Sequence, residues 1–593
     1  MKKTLENILS IKIGAEAGQG VKSAGLMLAK LASRSGYNIY NHVEFPSLIR
    51  GGHNVIQTNI SKGAISAPRK LNDLIVALNQ ETINLHKDEF KEGAGILFDS
   101  EKNINTSGLS KNVKLFGVPL AKISAESFGS DSPIKKDQLV NMAALGAVIS
   151  LFSGNMEILN SLIEEEFKNK GTDVVEVNKK AAKTGYEYVE NNYKADIRTD
   201  LTPVDSLSSA LPTMVLNGNE AVALGAISSG LQYASIYPMS PASNILHVLA
   251  ENQEKYMFTY KQPEDEISAI NMAIGASFAG ARSMTSTSGG GFCLMTEGYG
   301  LAGMTETPLV IVDGMRPGPA TGMPTWSEQG DLQMVLNAHQ GDFPRILLAA
   351  GDAKESFDLT RKAFELADKY QTPVVLLIDK NICENEQSFP FFTTDTYKID
   401  RAGLITKEKE DYKRFEITEN GISERSIPGV GNFFIANSDE HNEEGYSTED
   451  SAVRNAMVEK RMRKLTTCEK EDMEAPVIYG PEDAPISIIS WGSSKGSILE
   501  ALKNTKNVNF LDVAWMNPFP AEQLEKMVEK SKYVVVIECN YSGQLERLIK
   551  EKTNILVNYS IRNYDGRPIY PEEILEKLNS IDFNGNARVN LKE

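Results

Sequence analysis

Three acidic residues open a predicted helix, and one of them is placed to do chemistry. The segment Pro263–Ala281 has helical periodicity and begins with Glu264, Asp265 and Glu266. Acidic residues at a helix start suit the positive end of the helix dipole, and this alone accounts for all three. At 3.6 residues per turn, however, Glu266 shares a face with small residues at positions 269, 273, 277 and 280. A carboxylate on a close-packed face is costly to bury without a partner or a task, so Glu266 is the candidate catalytic group.

Two loops that follow apolar strands carry groups suited to a substrate. The first is Tyr237-Pro238-Met239-Ser240-Pro241, and the second runs from Arg316 to Thr325. Ligands of α/β folds collect beyond the carboxyl ends of strands. Ser240 offers a hydroxyl there, and the donors of Arg316 match the two oxygens of a carboxylate. A rigid turn and a surface arginine are the alternative interpretation of these two loops.

Glycines mark two further candidate sites. Gly14, Gly18 and Gly20 lie between a predicted strand and a predicted helix, where they allow backbone N–H groups to approach an anion. Their spacing is not that of a dinucleotide-binding loop, and a tight packing turn is the alternative. Further on, a Thr/Ser strand at 285–288 runs into Gly289–Gly291, which predicts an open loop able to contact a ligand.

Composition excludes several classes of function. A net charge of −17 over 593 residues disfavours nucleic acid and anionic membranes as partners. The four cysteines form no CxxC motif, and the six histidines form no zinc-binding pattern, so we expect no metal ligands. We find no signal peptide and no membrane-spanning apolar stretch, and therefore expect a cytoplasmic protein.

Alternating strands and helices predict an α/β protein with several domains and parallel sheets. Residues 1–195 form the first domain, and the polar segment 196–213 is a linker. Residues 214–390 form the second domain, whose strands are apolar throughout, as in a parallel sheet covered on both faces. Residues 391–484 form a connecting excursion with a helix near 448–464, and residues 485–593 form a third α/β domain.

Together these motifs resemble the 2-oxoacid:ferredoxin oxidoreductases, in particular the 2-oxoglutarate type, in which a gamma domain is fused ahead of the alpha domain. Gly18-Gln19-Gly20-Val21 and Arg50-Gly51-Gly52-His53 are similar to the gamma domain. The loop at 237–241 resembles the family's YPITP motif, and Arg316–Leu332 resembles its R-x-GPSTG-x-PT-x-x-EQ-x-DL signature. The segments similar to the transketolase C-terminal-like domain are Asn517–Pro520, Asn540–Leu545 and Asp565–Pro568.

The resemblance implies a thiamine diphosphate enzyme and assigns roles to these residues. It makes 1–195 the gamma domain, 214–390 the pyrimidine-binding domain and 485–593 the transketolase C-terminal-like domain. It places Glu266 as the catalytic glutamate that hydrogen-bonds the cofactor's aminopyrimidine ring. The other cofactor contacts that it implies are Tyr237, Pro238, Ser288, Gly289 and Gly290. The substrate-binding residues are Ser240, Arg316 and Thr321, and the residues for coenzyme A or an interface are Gly18, Gly20, Arg50 and Gly51.

Three positions depart from the family pattern. Ser240 stands where the family usually has threonine, and the hydroxyl survives. Gly290 stands where the family usually has proline. Pro317 replaces the usual glycine after the arginine, which stiffens the loop and is expected to shift Arg316.

The resemblance also implies a partner, because the chain has no GDG motif for Mg²⁺ and diphosphate. In this family that half of the site and a [4Fe–4S] cluster belong to a beta subunit. The implied reaction converts a 2-oxoacid and coenzyme A to acyl-CoA and CO₂, with electrons passed to ferredoxin. The fused organisation favours 2-oxoglutarate as the substrate, and a dimer of gamma-alpha/beta pairs is the expected assembly.

Two alternative functions stay open from the sequence. One is an NAD(P)-dependent dehydrogenase using the first domain, against which the glycine spacing counts. The other is a non-catalytic structural subunit, against which the joint presence of Ser240, Glu266 and Arg316 counts.

Overall fold

The chain divides into two compact units. The computed structural model describes residues 8–46, 52–127, 136–204, 213–394, 397–581 and 587–590. The first unit comprises Met1–Leu216, Asn385–Phe392 and Tyr570–Glu572, and the second comprises Asn217–Glu384, Thr393–Ile569 and Glu573–Glu593. The α/β class predicted from the alternating pattern is confirmed in both units.

The amino-terminal part of the first unit alternates strands and helices before ending in a helical layer. Its strands are β1 (Leu9–Glu16), β2 (Asn38–Glu44), β3 (His53–Ser61), β4 (Asn72–Ala77), β5 (Phe90–Asp99), β6 (Lys114–Val118) and β7 (Thr213–Leu216). Its helices are α1 (Val21–Arg34), α2 (Gln80–His86), α3 (Leu120–Ser127), α4 (Lys136–Leu151), α5 (Met156–Phe167) and α6 (Thr172–Asn192).

The middle of the chain forms the first part of the second unit. Its strands are β8 (Tyr233–Ser235), β9 (Thr259–Lys261), β10 (Ser283–Thr287), β11 (Leu309–Met315), β12 (Ile346–Ala349) and β13 (Pro373–Asp379). Its helices are α7 (Gly218–Ser228), α8 (Ser243–Tyr256), α9 (Glu266–Phe278), α10 (Gly289–Met304), α11 (Leu332–Asn337), α12 (Ala353–Tyr370) and α13 (Lys380–Glu384).

The remaining elements begin with strand β14 (Glu386–Pro390), which belongs to the first unit, and helix α14 (Ser451–Glu471). The strands that follow are β15 (Val477–Tyr479), β16 (Ile486–Ser490), β17 (Val508–Asp512), β18 (Trp515–Asn517), β19 (Tyr533–Glu538), β20 (Tyr559–Arg562) and β21 (Ala587–Asn590). The helices are α15 (Ser494–Leu502), α16 (Ala521–Val528), α17 (Gln544–Lys552) and α18 (Pro571–Ser580). None of the helices in the described ranges combines the length and the apolar run needed to cross a bilayer.

The sheet of the first unit is mixed rather than parallel throughout. Its order is β6-β5-β4-β1-β3-β2-β14-β7. The predicted parallel arrangement holds for β6 through β1, whereas β1, β3, β2, β14 and β7 pair antiparallel. The β2–β3 pair is antiparallel because only about eight residues separate the two strands, too few for the crossover helix that parallel neighbours need.

The second unit contains two sheets that share one core. The larger has the order β18-β12-β13-β11-β10-β8-β9, and its strands are parallel except for β18. The other has the order β15-β17-β16-β19-β20-β21. Buried residues from both parts, such as Phe292, Met295, Trp491 and Leu545, belong to a single hydrophobic cluster. The carboxyl-terminal segment therefore packs as an integral part of this unit.

A buried ion cluster anchors the segment at 391–484 to α10. Just past the end of α10, the Glu306 carboxylate accepts hydrogen bonds from Lys460 Nζ at 2.6 and 2.8 Å, and it pairs with Lys464 Nζ at 2.6 Å. The Arg414 guanidinium donates to the Glu306 backbone oxygen at 2.6 Å. Both lysines lie on α14, so this helix is fixed through its charged side chains.

Candidate active site

The three acids at the start of α9 separate into different environments. Asp265 is the N-cap of the helix, and its Oδ1 accepts a hydrogen bond from the Ser268 backbone N–H at 2.7 Å. Glu264 is exposed. Glu266 is the first helical residue and is only 3% exposed. The helix-dipole explanation therefore suits Asp265, and Glu266 occupies the close-packed position that its helix face predicts.

Serine hydroxyls hold α9 close to the sheet. Ser235 Oγ donates to the Ala269 carbonyl at 2.5 Å, and Ser283 Oγ donates to the Ala273 carbonyl at 2.7 Å. Ala269 and Ala273 are fully buried between the helix and the sheet. Larger side chains at these positions would separate α9 from β8 and β10. This packing fixes the axis of α9 and with it the position of Glu266.

Gly291 allows the Glu266 side chain to lie against the first turn of α10. A Cβ atom built on Gly291 would lie 2.1 Å from Thr287 Oγ1 and 2.6 Å from Glu266 Oε1. The prediction of an open loop at Gly289–Gly291 is wrong, since these glycines form the first turn of a helix. Glycine is a poor helix former, but at 291 the close approach of Thr287 and Glu266 leaves no room for a larger residue.

The Glu266 carboxylate lacks a partner within the described part of the chain. Its Oε1 is buried and makes no hydrogen bond there, and the same is true of Ser288 Oγ, the side chain at the N-cap of α10. Buried polar atoms are normally hydrogen-bonded. The arrangement therefore fits a polar cofactor ring that offers a hydrogen-bond partner to Glu266, as the aminopyrimidine of thiamine diphosphate does.

The two predicted substrate loops and the start of α10 meet at one edge of the sheet. Arg316 Nη1 donates to the Ser240 backbone oxygen at 2.7 Å. A Cβ atom on Gly290 would lie 3.7 Å from Met239 Sδ and 3.8 Å from the Ala320 oxygen. The structure thus brings together Ser240, Gly290 and Arg316, with Tyr237, Pro238, Ser288, Gly289 and Thr321 on the same three segments. Ser240 and Thr321 are exposed and can reach a ligand.

The departures from the family pattern are accommodated locally. A Cβ atom on Gly290 would make only ordinary van der Waals contacts with its neighbours, so this position has room for a larger residue. Pro317 accepts a hydrogen bond from the Met323 N–H at 3.0 Å, and Gly322 (φ 55°) lies so close to the Pro317 oxygen that a side chain at 322 is excluded. The loop closes on itself, and Arg316 still contacts the loop that carries Ser240.

Sequence reasoning missed a set of protonatable carboxyls beside Arg316. Asp313 pairs with Thr287 across β10 and β11 and is fully buried, and Asp331 lies against Gly289. Burial and the neighbouring Asp331 charge raise the pKa of Asp313 well above its usual range. Burial raises the pKa of Asp331 to about 6, and burial with the Asp331 charge raises that of Glu328 to about 7. An aspartate inside an otherwise apolar strand was the available signal.

One residue of the predicted glycine site in the first unit, Gly14, lies in a close-packed position in β1. A Cβ on Gly14 would lie 2.6 Å from Thr82 Cγ2 and 2.9 Å from His53 Cε1, so Gly14 serves close packing. Gly18 (φ 89°) and Gly20 (φ 78°) adopt the left-handed conformation, and Gly20 is the N-cap of α1. Arg50 and Gly51 lie outside the described residues. A ligand role for this group stays a prediction.

Family models match three parts of the chain. Residues 10–188 match a model described as pyruvate ferredoxin/flavodoxin oxidoreductase. Residues 224–460 match the thiamine diP-binding part of pyruvate flavodoxin/ferredoxin oxidoreductase. Residues 484–574 match core domain II of pyruvate:ferredoxin oxidoreductase.

Similar proteins extend over nearly the whole chain. A 2-oxoacid:ferredoxin oxidoreductase subunit alpha from Sulfolobus is 32% identical over 98% of this chain and 98% of its own length. The 2-oxoglutarate oxidoreductase subunit KorA from Mycobacterium tuberculosis is 28% identical over 97% and 91%, respectively. Among solved structures, a 2-oxoglutarate:ferredoxin oxidoreductase from Magnetococcus marinus with 2-oxoglutarate, coenzyme A and succinyl-CoA bound is 31% identical. Its TM-score is 0.89, over 96% of this chain and 99% of that one.

Proposed function

Because this chain belongs to the 2-oxoacid:ferredoxin oxidoreductase family and spans the length of its alpha subunits, we propose that it is the catalytic gamma-alpha subunit of such an enzyme. With a beta subunit it oxidatively decarboxylates a 2-oxoacid to acyl-CoA and CO₂ and reduces ferredoxin. The observation that carries this proposal is the buried Glu266 carboxylate, held against Gly291 with a free oxygen among the described residues. We propose 2-oxoglutarate as the substrate, supported by the likeness to the Magnetococcus enzyme.

Glu266 is proposed to hold and orient the cofactor. Thiamine diphosphate, when bound, supplies the nucleophilic carbon and the electron sink that decarboxylation requires. Glu266 would hydrogen-bond the aminopyrimidine ring, and its burial removes competing water. Tyr237, Pro238, Ser288, Gly289 and Gly290 are the proposed contacts of the cofactor on this chain.

Arg316 is proposed to bind the substrate carboxylate. Its guanidinium already contacts the Ser240 backbone, so its position is fixed by one hydrogen bond while its other donors remain available. Ser240 and Thr321, on the same two loops, are exposed, and their hydroxyls are the other proposed contacts of the substrate. This arrangement recognises the carboxylate that all 2-oxoacids share, and it leaves selection among acids to the rest of the pocket.

A beta subunit is proposed to complete the site with Mg²⁺, the diphosphate site and a [4Fe–4S] cluster. Helices α9 and α10 carry large exposed apolar side chains, namely Ile267 (47%), Met272 (40%) and Leu294 (51%). Exposed apolar side chains on the helix that begins with Glu266 suit a protein partner. Coenzyme A is the proposed co-substrate, with Gly18, Gly20, Arg50 and Gly51 as its candidate contacts or as an interface. We further propose a dimer of gamma-alpha/beta pairs in the cytoplasm, where the four free cysteines would stay reduced.

The proposal is tested on the reconstituted complex. The chain is co-expressed with the protein of the adjacent reading frame and purified anaerobically. Viologen reduction is then measured with coenzyme A, Mg²⁺ and thiamine diphosphate against a panel of 2-oxoacids. Thiamine-dependent reduction with one preferred acid is expected, and preference for another acid would replace 2-oxoglutarate. No reduction from a complex that holds thiamine diphosphate and an intact cluster would overturn the catalytic proposal in favour of a structural subunit.

A further inference from the structure

The segment that carries Arg316 has little structure of its own. Between Arg316 and Asp331, here called the arginine loop, the chain forms no helix or strand. Its internal backbone hydrogen bonds are Met323 N–H to the Pro317 oxygen at 3.0 Å and Trp326 N–H to the Met323 oxygen at 3.1 Å. A segment with so few internal bonds must be fixed by what surrounds it.

Gln329 joins the arginine loop to the carboxyl-terminal sheet. Its Nε2 donates to the Trp491 carbonyl at 2.7 Å, and its Oε1 accepts from the Cys539 N–H at 2.7 Å. Its own N–H donates to the Cys539 carbonyl at 2.7 Å. Gln329 is fully buried, so these three bonds form away from water, where leaving any of them unmade is costly.

The segment at 540–544 makes a second set of hydrogen bonds to the arginine loop, at residues 329 and 330. Asn540 Nδ2 donates to the Gln329 carbonyl at 3.1 Å, and Gln544 Nε2 donates to the Gly330 carbonyl at 2.6 Å. Asn540 is itself held, because its Oδ1 accepts from the Gly543 N–H at 2.7 Å and its Nδ2 also donates to Glu538 at 2.7 Å. The amides that hold the loop are therefore already oriented.

The segment at 565–567 makes a third set. The Arg567 guanidinium lies over the Trp326 ring, 3.3 Å from its centroid. The Ser327 N–H donates to the Gly566 carbonyl at 3.1 Å, and a Cβ on Gly566 would lie 2.9 Å from Met323 Cε. Packing between two subdomains would spread its polar contacts over a broad surface, but here Trp491 and two separate segments, 538–544 and 565–567, all contact one irregular loop.

We propose that residues 538–544 and 565–567 form a clamp that positions the arginine loop, with Gln329 and Asn540 as positioning residues for substrate binding by Arg316. The inference rests on the role of Arg316 in the proposed function. Its physical basis is that binding a carboxylate with a guanidinium depends on geometry, and a displacement of about 1 Å is enough to weaken it greatly. The clamp supplies the rigidity that the loop itself lacks.

The test uses the reconstituted complex and three variants. Gln329→Met removes both side-chain hydrogen bonds at similar volume, and Arg567→Ala removes the guanidinium that lies over the Trp326 ring. Asn509→Ala is the matched control, because Asn509 is an equally buried amide that donates to the Pro481 carbonyl, away from the loop. The readouts are kcat and KM for the preferred 2-oxoacid, and amide hydrogen exchange of residues 316–331.

We expect Gln329→Met to raise KM about tenfold with a smaller change in kcat, and Arg567→Ala to act in the same direction. Exchange at 316–331 should accelerate in both variants and stay at the wild-type rate in Asn509→Ala. Unchanged KM together with unchanged exchange in folded Gln329→Met and Arg567→Ala proteins would overturn the clamp. If the wild-type complex turns over no 2-oxoacid, the proposed function fails, and the exchange measurement still decides whether the clamp holds the loop.

Discussion

The Glu266 side chain, at the start of α9, lies directly against Gly291 in the first turn of α10. A single methyl group on Gly291 would lie 2.6 Å from Glu266 Oε1. The position of the carboxylate therefore depends on the absence of a side chain from the first turn of α10. A residue type without chemistry of its own thus controls the geometry of the candidate catalytic group.

The first prediction concerns this contact. Gly291→Ala should destabilise the chain by about 1–3 kcal/mol, because the added methyl overpacks a buried site. It should also lower 2-oxoacid-dependent turnover at least about tenfold, because Glu266 must move. Thermal unfolding and viologen reduction measure the two effects.

The control is Gly275→Ala, on α9. A Cβ there would meet nothing within 4 Å, and alanine favours a helix, so its melting temperature should not fall. Wild-type stability and turnover in Gly291→Ala would show that the space around Glu266 is not needed.

The second prediction concerns the charge of Glu266. Glu266→Gln should abolish decarboxylation while leaving subunit assembly intact, because the amide is nearly isosteric but cannot exchange a proton as the carboxylate does. Glu264→Gln, at the exposed acid two positions earlier, should keep near-normal turnover. Turnover by the complex and its size by gel filtration separate the two cases. The opposite result, an active Glu266→Gln and an inactive Glu264→Gln, would move the role to Glu264.

Much of this site was accessible from local sequence patterns. The helix face predicted the burial of Glu266, since the period of 3.6 residues applies wherever the helix exists. The strand-then-loop order predicted that Ser240 and Arg316 would meet at one sheet edge, and a hydrogen bond now links them. Both inferences needed only the regular geometry of helices and parallel sheets.

Other features depend on contacts far apart in sequence and gave no local signal. The close approach of Asp331 to Gly289, and of Thr287 and Glu266 to Gly291, leaves no room for side chains at these two helical positions, and no glycine pattern reveals these contacts. Strand β14 begins with three consecutive polar residues at 386–388 and is held in the first unit partly by Asn41, whose Nδ2 donates to Glu386 at 2.8 Å. A five-residue strand without an apolar run carries no periodic signature.

The third prediction concerns Arg316. Arg316→Ala should raise KM for the 2-oxoacid about 10- to 100-fold with a smaller effect on kcat, because the charge-assisted hydrogen bonds to the ground-state carboxylate are lost. Steady-state kinetics over the same acid panel provide the measurement. Arg34→Ala is the control, since Arg34 is exposed and pairs with Glu165 on the surface of the first unit. A pure kcat loss in Arg316→Ala would contradict a substrate-binding role.

The fourth prediction concerns pH. Burial raises the pKa of Asp331 to about 6, so the folded protein holds this proton more tightly than the unfolded chain does. Stability contributed by such a group is present at low pH and is lost as pH rises from about 4 towards 6. Asp331→Asn, which cannot ionise, should therefore raise stability at pH 8 by on the order of 2 kcal/mol and have little effect at pH 4. Melting temperatures across this range test the sign, with exposed Asp88→Asn as the control. An Asp331→Asn protein less stable than wild type at pH 8 would contradict it.

The last prediction concerns the buried ion cluster at Glu306. Opposite charges from Lys460 and Lys464 hold the pKa of Glu306 below its usual range despite burial, and burial lowers the pKa of Lys464 to about 7. Glu306→Gln would leave two buried ammonium groups without their counter-charge, which should cost about 3–5 kcal/mol. The loss should appear as a lower melting temperature and as faster hydrogen exchange in α14.

Two comparisons make this result specific to the cluster. Glu297→Gln, at an exposed glutamate of α10, should change stability by less than about 0.5 kcal/mol. Adding Lys464→Met to Glu306→Gln should recover part of the loss, because it removes one of the two unpaired charges. If the double variant is instead less stable by the sum of the single effects, the two residues act independently. In that case the attachment of α14 would depend on its apolar contacts rather than on Glu306.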